Sequence, residues 1–251
     1  MTFEHPPGNK PKTVIIVGSG PTRADYLDLL ASSDPRSIDR DEVWGVNGAY
    51  NFAPNIDLVF MMDDYAQING KNSVLQDIFE TATVPVITSV ARKECPTAVD
   101  YPLAGVMTMN PKRGDYLNHT CAYMMAYAAL IGVEELIMFG CDYIDPGAQY
   151  ANGNSYLRRM EPYRYMACTA YWAGICEARG MDIIITPNSP FLDADYLPED
   201  RLYGYLIKPA IHQGQPPSEA VRSYVVDQKE KTDGGKEVHR QGWREEIRHN
   251  A

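Results

Sequence analysis

The sequence lacks long apolar runs and any segment typical of export. No stretch approaches the ~18 consecutive apolar residues that a membrane-spanning helix needs. Residues 1–8 contain no basic segment followed by an apolar one, so we expect no secretory signal. These absences predict a protein of the cytoplasm that does not associate with membranes.

Cysteine pairs at metal-binding spacing are also missing. The chain has five cysteines, an odd number, and no two of them are separated by two residues. They are Cys95, Cys121, Cys141, Cys168 and Cys176. Each lies in or beside an apolar segment, which predicts free thiols that behave as small buried hydrophobic groups. The sequence therefore indicates neither structural zinc nor a disulfide framework.

An excess of positive charge is the third absence. The formal net charge is −10 and the pI is near 5.0, which argues against tight nonspecific binding of nucleic acid. Hydrophobic residues make up 45% of the chain and charged residues 22%, as in an ordinary globular protein. Arginines are nevertheless clustered between positions 158 and 179, so a small anionic ligand remains compatible with the composition.

Short apolar strands alternate with helical segments along the first three quarters of the chain. We predict strands at 13–17, 42–46, 58–62, 84–88, 134–139 and 182–186, and helices at 24–30, 117–131 and 162–179. The helix at 117–131 has Asn118 or Thr120 as N-cap candidates and ends at Gly132. Pro85 cannot donate a hydrogen bond to a neighbouring strand, so the fourth strand lies at an edge of the sheet or Pro85 lies at the start of that strand. The alternation predicts an α/β, Rossmann-like, mostly parallel sheet flanked by helices.

We expect residues 1–191 to form this domain and residues 192–251 to form an irregular, polar C-terminal extension. The extension is rich in mixed charge and contains Pro216-Pro217 and Gly234-Gly235. Such a composition buries too little apolar surface to offset the entropy of ordering. We interpret it either as an arm that mediates homo-oligomerisation or as a disordered tail.

The turn after the first strand has the composition of a phosphate-binding loop. It consists of Gly18, Ser19, Gly20, Pro21 and Thr22. The two glycines let the backbone approach a phosphate, and the amide groups of the following helix favour negative charge. Arg23 stands where a dinucleotide site has its third glycine, so nicotinamide and flavin are disfavoured. The alternative interpretation is a purely structural turn.

Polar residues also follow the second and third strands. Asn47 and Tyr50 are candidates for contacts to ribose or phosphate, and an ordinary Asn-Gly turn is the alternative. Asp63 and Asp64 are candidates to hold Mg²⁺ or Mn²⁺ against a pyrophosphate, or to bind ribose hydroxyls. Helix capping is the competing interpretation of this pair.

Two further clusters and a loop complete the candidate site. His119, before Thr120 at the start of the long helix, is a candidate general base or phosphate contact, with capping as the alternative. Asp142 follows a central strand and is a candidate to bind a sugar or act as a base. The segment around Arg158, Arg159 and Tyr163 suits a lid that closes over phosphate, or else a solvated helix face.

The segments 13–22, 44–50 and 120–143, in this order, resemble bacterial CMP-sialic-acid-dependent sialyltransferases and phage proteins of a Rossmann-like glycosyltransferase type. The resemblance covers about half of the chain. It implies that Gly18, Ser19, Gly20 and Asn47 contact a nucleotide and that Thr120 and Cys121 match the helix start. The sialyltransferases have a catalytic histidine beyond the Gly-x-Asp-Tyr strand end, whereas this chain has no histidine between His119 and His212.

The resemblance implies a nucleotide-sugar-dependent glycosyltransferase, phage-encoded, that moves a sugar onto an acceptor hydroxyl such as that of a hydroxymethylated DNA base. Two other hypotheses are kept. The same pattern resembles an ATP- and Mg²⁺-dependent pyrophosphokinase of the hydroxymethylpterin type, in which Asp63 and Asp64 would hold the metal. A non-catalytic module that binds or sequesters a nucleotide is the third.

Overall fold

A seven-stranded parallel sheet forms the centre of the protein. The computed structural model describes residues 5–6, 9–31, 40–143 and 156–194, with the backbone alone described at 156–162. The strands are β1 (Thr13–Val17), β2 (Glu42–Val46), β3 (Leu58–Met61), β4 (Val86–Thr88), β5 (Ala98–Asp100), β6 (Glu135–Phe139) and β7 (Asp182–Ile185). Their order is β5-β4-β3-β2-β1-β6-β7 and every neighbouring pair is parallel, which confirms the predicted α/β Rossmann-like fold.

Six α-helices are described. They are α1 (Arg23–Ala31), α2 (Tyr65–Ile68), α3 (Ser73–Thr81), α4 (Leu103–Met109), α5 (Thr120–Ile131) and α6 (Tyr156–Ala178), with short 3₁₀ turns at Asn47–Asn51 and Phe191–Asp193. The sequence analysis predicted α1, α5 and α6 but not α2, α3, α4 or β5. Three of the missed elements, α2, α4 and β5, have four, seven and three residues, and elements this short carry little periodicity. Helix α3 has nine residues with one apolar face, so its pattern was present in the sequence and was overlooked.

Helix α5 lies in the middle of the core. Ten of its twelve residues are buried, which explains its lack of a polar face. Tyr127 packs edge-on against Trp44 and Phe60 of the sheet, with ring centroids 5.5 and 5.2 Å apart. The helix ends at Gly132, whose φ of 84° is the left-handed conformation that glycine adopts without strain.

A buried polar network anchors the segment that precedes β1. The Nε2 atom of His5 lies 2.9 Å from a carboxylate oxygen of Glu42, and its Nδ1 lies 2.8 Å from the hydroxyl of Tyr127. The indole of Trp44 donates another hydrogen bond to the Glu42 carboxylate, at 2.7 Å. Each buried polar group in this network thus has a partner, as burial in a core requires.

Two boundary predictions need correction, and a third is confirmed in one of its two alternatives. Strand β4 begins at Val86, directly after Pro85, which confirms that this proline lies at the start of the strand. The other alternative, an edge position, is wrong because β5 pairs with β4. Helix α6 begins at Tyr156, six residues before the predicted start. The N-cap of α5 is His119, because its side chain accepts the amide of Cys121, whereas the prediction was Asn118 or Thr120.

Three further predictions concern the cysteines, membrane-spanning helices and the C-terminal extension. All five cysteines are buried and none is in a disulfide, which confirms the predicted free thiols. Among the described helices, none has the length and apolarity to cross a membrane. The chain divides into the units Met1–Asp195 and Tyr196–Ala251, and the second lies outside the described residues. The interpretation of residues 192–251 stays a prediction.

Candidate ligand site at the carboxyl edge of the sheet

The predicted site residues follow strands that are neighbours in the sheet. Val17 of β1 is paired with Gly45 on one side and with Phe139 on the other. The register therefore places the glycine turn between the segments that begin at Asn47 and at Gly140. The chain order reverses here, because β2 to β5 extend to one side of β1 and β6 and β7 to the other. Ligands of open α/β sheets bind at such a switch point.

The glycine turn packs directly against the end of β6. The amide of Gly18 donates to the carbonyl of Phe139 and that of Gly20 to the carbonyl of Gly140, both at 2.8 Å. A Cβ on Gly18 would lie 2.9 Å from the carbonyl carbon of Gly140 and closer still to its oxygen. The glycines are thus required by the close approach of two backbone segments.

An internal carboxylate occupies the start of α1. Asp142 is buried, and its Oδ2 accepts the amide of Thr22 at 2.8 Å while its Oδ1 accepts the Thr22 hydroxyl at 2.5 Å. The same hydroxyl accepts the amide of Gly140, at 2.8 Å. Asp142 therefore caps the N-terminus of α1, where the sequence analysis predicted a bound phosphate. Its carboxylate oxygens accept from Thr22.

The amide groups of the turn are consequently bonded within the protein. Gly18, Gly20 and Thr22 donate to internal acceptors, and Pro21 has no amide hydrogen. Within the described part of the chain, the Ser19 amide makes no such bond. A phosphate at this turn would meet Ser19 and neighbouring side chains, and not the ring of free amides that the sequence predicts.

Thr22→Val tests the contribution of this contact to stability. Valine has nearly the same shape but leaves the Gly140 amide and Asp142 Oδ1 without their buried partner. We expect the free energy of unfolding to fall by about 2 kcal/mol, measured by urea denaturation. Thr22→Ser keeps the hydroxyl and is expected to lose well under half as much. Equal losses in the two variants would contradict the role given to the hydroxyl.

Asn47 carries an unsatisfied polar atom. Its Oδ1 is buried and has no hydrogen-bond donor among the described residues. Its backbone has φ of 49°, in the left-handed region that asparagine tolerates better than most residues. An unpaired buried acceptor costs about 1–3 kcal/mol, and strained polar residues of this kind are concentrated at binding sites. The carbonyl of this amide thus needs a donor that the described residues do not supply.

His119 lies at the start of α5 beside the end of β6. Its Nδ1 accepts the amide of Cys121 at 3.4 Å and lies 3.5 Å from the hydroxyl of Tyr143. The ring stacks on Tyr165 of α6, with centroids 4.9 Å apart. A neutral imidazole that accepts at one nitrogen donates at the other, so this arrangement puts the hydrogen on Nε2. His119 is therefore better placed to donate to an anion than to remove a proton.

Tyr143 joins the end of β6 to α6. It has φ of 50°, and its hydroxyl donates to Thr169 at 2.7 Å. Burial raises the pKa of this phenol well above its ordinary value, with a further contribution from the neighbouring Cys121. The phenol is therefore neutral near pH 7. Its ring lies beside the imidazole of His119, with the two ring centroids 5.2 Å apart.

The two aspartates after β3 differ in their surroundings. Asp64 caps α2 and binds Arg92 through two contacts, at 2.6 and 2.7 Å, and the hydrogen bond from Arg92 lowers its pKa. Asp63 is exposed. The described residues contain no group of three or more His, Cys, Asp or Glu side chains arranged to hold a metal ion. Asp64 thus has a capping and ion-pair role, and the binding of Mg²⁺ or Mn²⁺ by Asp63 and Asp64 against a pyrophosphate stays a prediction.

The other predicted residues are more scattered. Tyr50 lies in the turn after β2, where its hydroxyl accepts the amide of Thr83 at 3.3 Å. Thr120 is buried in the first turn of α5, and Tyr163 is exposed on α6. Arg158 and Arg159 fall in the first two turns of α6, where side chains lie outside the described residues, so their predicted role in a lid stays a prediction.

Sequence reasoning missed two features of this edge. Arg23 donates to the carbonyl of Ser19 at 2.5 Å, and its guanidinium lies 5.2 Å from the ring centroid of Phe52. This puts a cation at the glycine turn. Asp25 of α1 accepts from Thr186 and from Asn188, which follow β7. The position of Asn188, two residues after the predicted strand 182–186, is the signal that could have identified it.

The fold and the polar edge define a Rossmann-like domain with a candidate nucleotide site. No protein-family model and no curated protein matches the chain. Solved structures of the sialyltransferase CstII are similar in fold. A complex with a trisaccharide acceptor and CMP is 17% identical, with 71% of this chain and 83% of that chain covered and a TM-score of 0.44. The Campylobacter jejuni enzyme with CMP-3FNeuAc is 17% identical, with 71% and 83% covered and a TM-score of 0.42. Likeness at this level concerns the fold alone.

Proposed function

We propose that this protein transfers a sugar from a nucleotide-sugar donor to an acceptor hydroxyl. The observation that supports it most directly is the buried Oδ1 of Asn47 beside the glycine turn, which has no hydrogen-bond donor among the described residues. A ribose hydroxyl or an exocyclic amine of a base supplies the donor that this oxygen lacks. The sequence resemblance to CMP-sialic-acid-dependent enzymes points to the same residue, and it places CMP-linked sugars first among the candidate donors.

The side chains at the edge suit the departure of a nucleotide. The hydroxyl oxygen of the acceptor forms a bond to the anomeric carbon while the bond from that carbon to the phosphate oxygen breaks, and the acceptor proton passes to water. The nucleotide leaves with additional negative charge on its phosphate. His119, through Nε2–H, and Arg23, through its guanidinium, are the proposed donors to that charge. Asp142 has a positioning role, because it fixes Thr22 and the turn.

Release of free nucleotide tests the proposal. The purified chain is incubated with CMP-, UDP- and GDP-linked sugars and with saccharide or hydroxymethylated DNA acceptors, and the nucleotide is quantified by chromatography. We expect release that depends on both donor and acceptor, and no dependence on added Mg²⁺. A phage origin and a hydroxymethylated DNA base as acceptor are further parts of the proposal, and the net charge of −10 argues against tight nonspecific binding of that DNA.

The rival hypotheses give different outcomes in this assay. Diphosphate transfer from ATP to a small alcohol, strictly dependent on Mg²⁺, would replace the proposal by the pyrophosphokinase hypothesis. Tight nucleotide binding without turnover on any acceptor would replace it by the non-catalytic module. Absence of both binding and turnover would overturn the nucleotide site itself.

Asn47→Gly separates ligand binding from folding. Glycine adopts a φ of 49° without strain and removes the unpaired oxygen, so we expect thermal stability to be kept or raised. Nucleotide affinity is expected to fall about tenfold, measured by calorimetry, because a hydrogen bond to the ligand is lost. Asn47→Ala is the comparison, with the same loss of affinity and an added cost in stability. Unchanged affinity in both variants would remove Asn47 from the site.

A further inference from the structure

Two thiols that the proposed reaction does not use lie next to each other beneath the site. The Sγ atoms of Cys121 and Cys141 are 3.6 Å apart, and both residues are buried. Cys121 is in the first turn of α5 and Cys141 follows β6, so the pair connects two elements that are 20 residues apart in sequence. A disulfide needs the sulfur atoms ≈2.05 Å apart, so the two sulfur atoms have to approach each other by about 1.5 Å.

We propose that Cys121 and Cys141 are a reversible oxidation site that forms a disulfide with hydrogen peroxide as the oxidant. The thiol of Cys121 first loses its proton to solvent, and the resulting thiolate attacks one peroxide oxygen. The O–O bond breaks, a sulfenic acid remains on Cys121, and the departing hydroxide takes up a proton from solvent and leaves as water. The sulfur of Cys141 then attacks the Cys121 sulfur, its thiol proton joins the departing hydroxide, and a second water is released. Two thiols are oxidised by two electrons and one peroxide is reduced to two waters.

The surroundings of Cys121 favour its role as the attacking group. The hydrogen bond from Cys141 lowers the pKa of Cys121 well below its ordinary value and outweighs the opposing effect of burial. The first turn of a 12-residue helix adds the positive end of its dipole. Burial raises the pKa of Cys95, Cys168 and Cys176, so the three remaining thiols are poor nucleophiles.

The location of Cys141 links oxidation to the candidate ligand site. Cys141 lies between Gly140, which accepts the amide of Gly20, and Asp142, which holds Thr22. A Cβ placed on Gly18 would be 3.2 Å from the Cys141 sulfur, so this thiol packs directly against the glycine turn. Movement of the sulfur toward Cys121 therefore withdraws a packing group from that turn.

Peptide mapping of the full chain tests the disulfide. The reduced protein is treated with hydrogen peroxide, its remaining thiols are alkylated in denaturant, and it is digested with trypsin and Glu-C. No Lys or Arg lies between the two cysteines, but Glu134 and Glu135 do, so Glu-C separates the peptides unless a disulfide joins them. We expect a joined pair that dithiothreitol splits. Recovery of both cysteines alkylated, or of Cys121 joined to Cys168, would overturn the proposal.

Two variants sharpen the result. Cys95→Ser is the matched control, and its yield of the joined peptides is expected to equal that of the unmodified chain. In Cys141→Ser the reaction stops after the first step, and a sulfenic acid on Cys121 is expected to react with dimedone. If Cys141→Ser does not fold, peptide mapping of the unmodified chain and of Cys95→Ser still shows whether Cys121 and Cys141 form a disulfide.

The effect on ligand binding rests on the proposed function and is measured separately. Nucleotide affinity of the oxidised chain is expected to be about tenfold weaker than that of the reduced chain and to recover with dithiothreitol. Equal affinities of the two forms would overturn the link to the ligand site. If the reduced chain binds no nucleotide at all, the proposed function fails while the peptide map still decides the disulfide.

Discussion

Gly18→Ala is expected to lower the free energy of unfolding by about 3 kcal/mol or more, the largest loss of stability among the variants considered. The added methyl group would meet the backbone of Gly140, at 2.9 Å from its carbonyl carbon and nearer to its oxygen. Neither segment has room to yield, because the amides of Gly18 and Gly20 hold the turn against the end of β6. Urea denaturation followed by circular dichroism measures the change.

Gly174→Ala is the matched control for this substitution. Gly174 is exposed in α6, and a Cβ there would have no neighbour within 4 Å. Alanine is favoured over glycine inside a helix, so we expect a gain of about 0.5–1 kcal/mol. A Gly18→Ala variant as stable as the unmodified chain would show that the turn does not need the close contact with Gly140. It would also remove the steric argument for glycine at that position.

The central elements could be predicted because their local patterns are strong. The run Thr13–Val17 is apolar and β-branched at nearly every position, and in the structure four of its five residues are completely buried. Helix α5 is long, apolar and followed by a glycine, three signals that agree. The missed strand β5 has three residues and only partial burial, so its sequence has no comparable pattern.

The candidate site was harder to predict because its decisive contacts are long-range. A glycine-rich turn before a helix usually leaves amides free for an anion. Here Asp142, 120 residues away, supplies the negative charge from inside the protein. No local pattern around Gly18–Thr22 indicates that partner. The sequence could place Asp142 after a strand, but only the sheet order puts β6 beside β1.

Asn47 and Asp64 illustrate the same point with opposite outcomes. Both follow strands and both were predicted as ligand contacts. Arg92 pairs with Asp64 and satisfies its charge, whereas the Oδ1 of Asn47 meets no donor among the described residues. A residue type and its place after a strand therefore identify candidates. The presence or absence of an internal partner, which depends on tertiary contacts, decides between them.

His119→Asn is expected to reduce turnover by about 10²-fold or more while the stability of the protein is kept. Asparagine is a favoured N-cap, so its side-chain oxygen replaces Nδ1 as the acceptor for the amide of Cys121. The variant loses Nε2–H, which is the proposed donor to the departing phosphate. Nucleotide release under saturating donor gives the rate, and a thermal melt verifies that the cap is intact.

His119→Ala provides the comparison that separates the two roles of this side chain. It removes both the cap and the donor, so we expect the same loss of turnover and, in addition, a loss of about 1 kcal/mol in stability. If His119 served only as a cap, the asparagine variant would turn over at nearly the unmodified rate and the alanine variant would differ from it mainly in melting temperature. The turnover rate of the asparagine variant relative to that of the unmodified chain therefore distinguishes a catalytic histidine from a structural one, and the alanine variant shows how much stability the cap contributes.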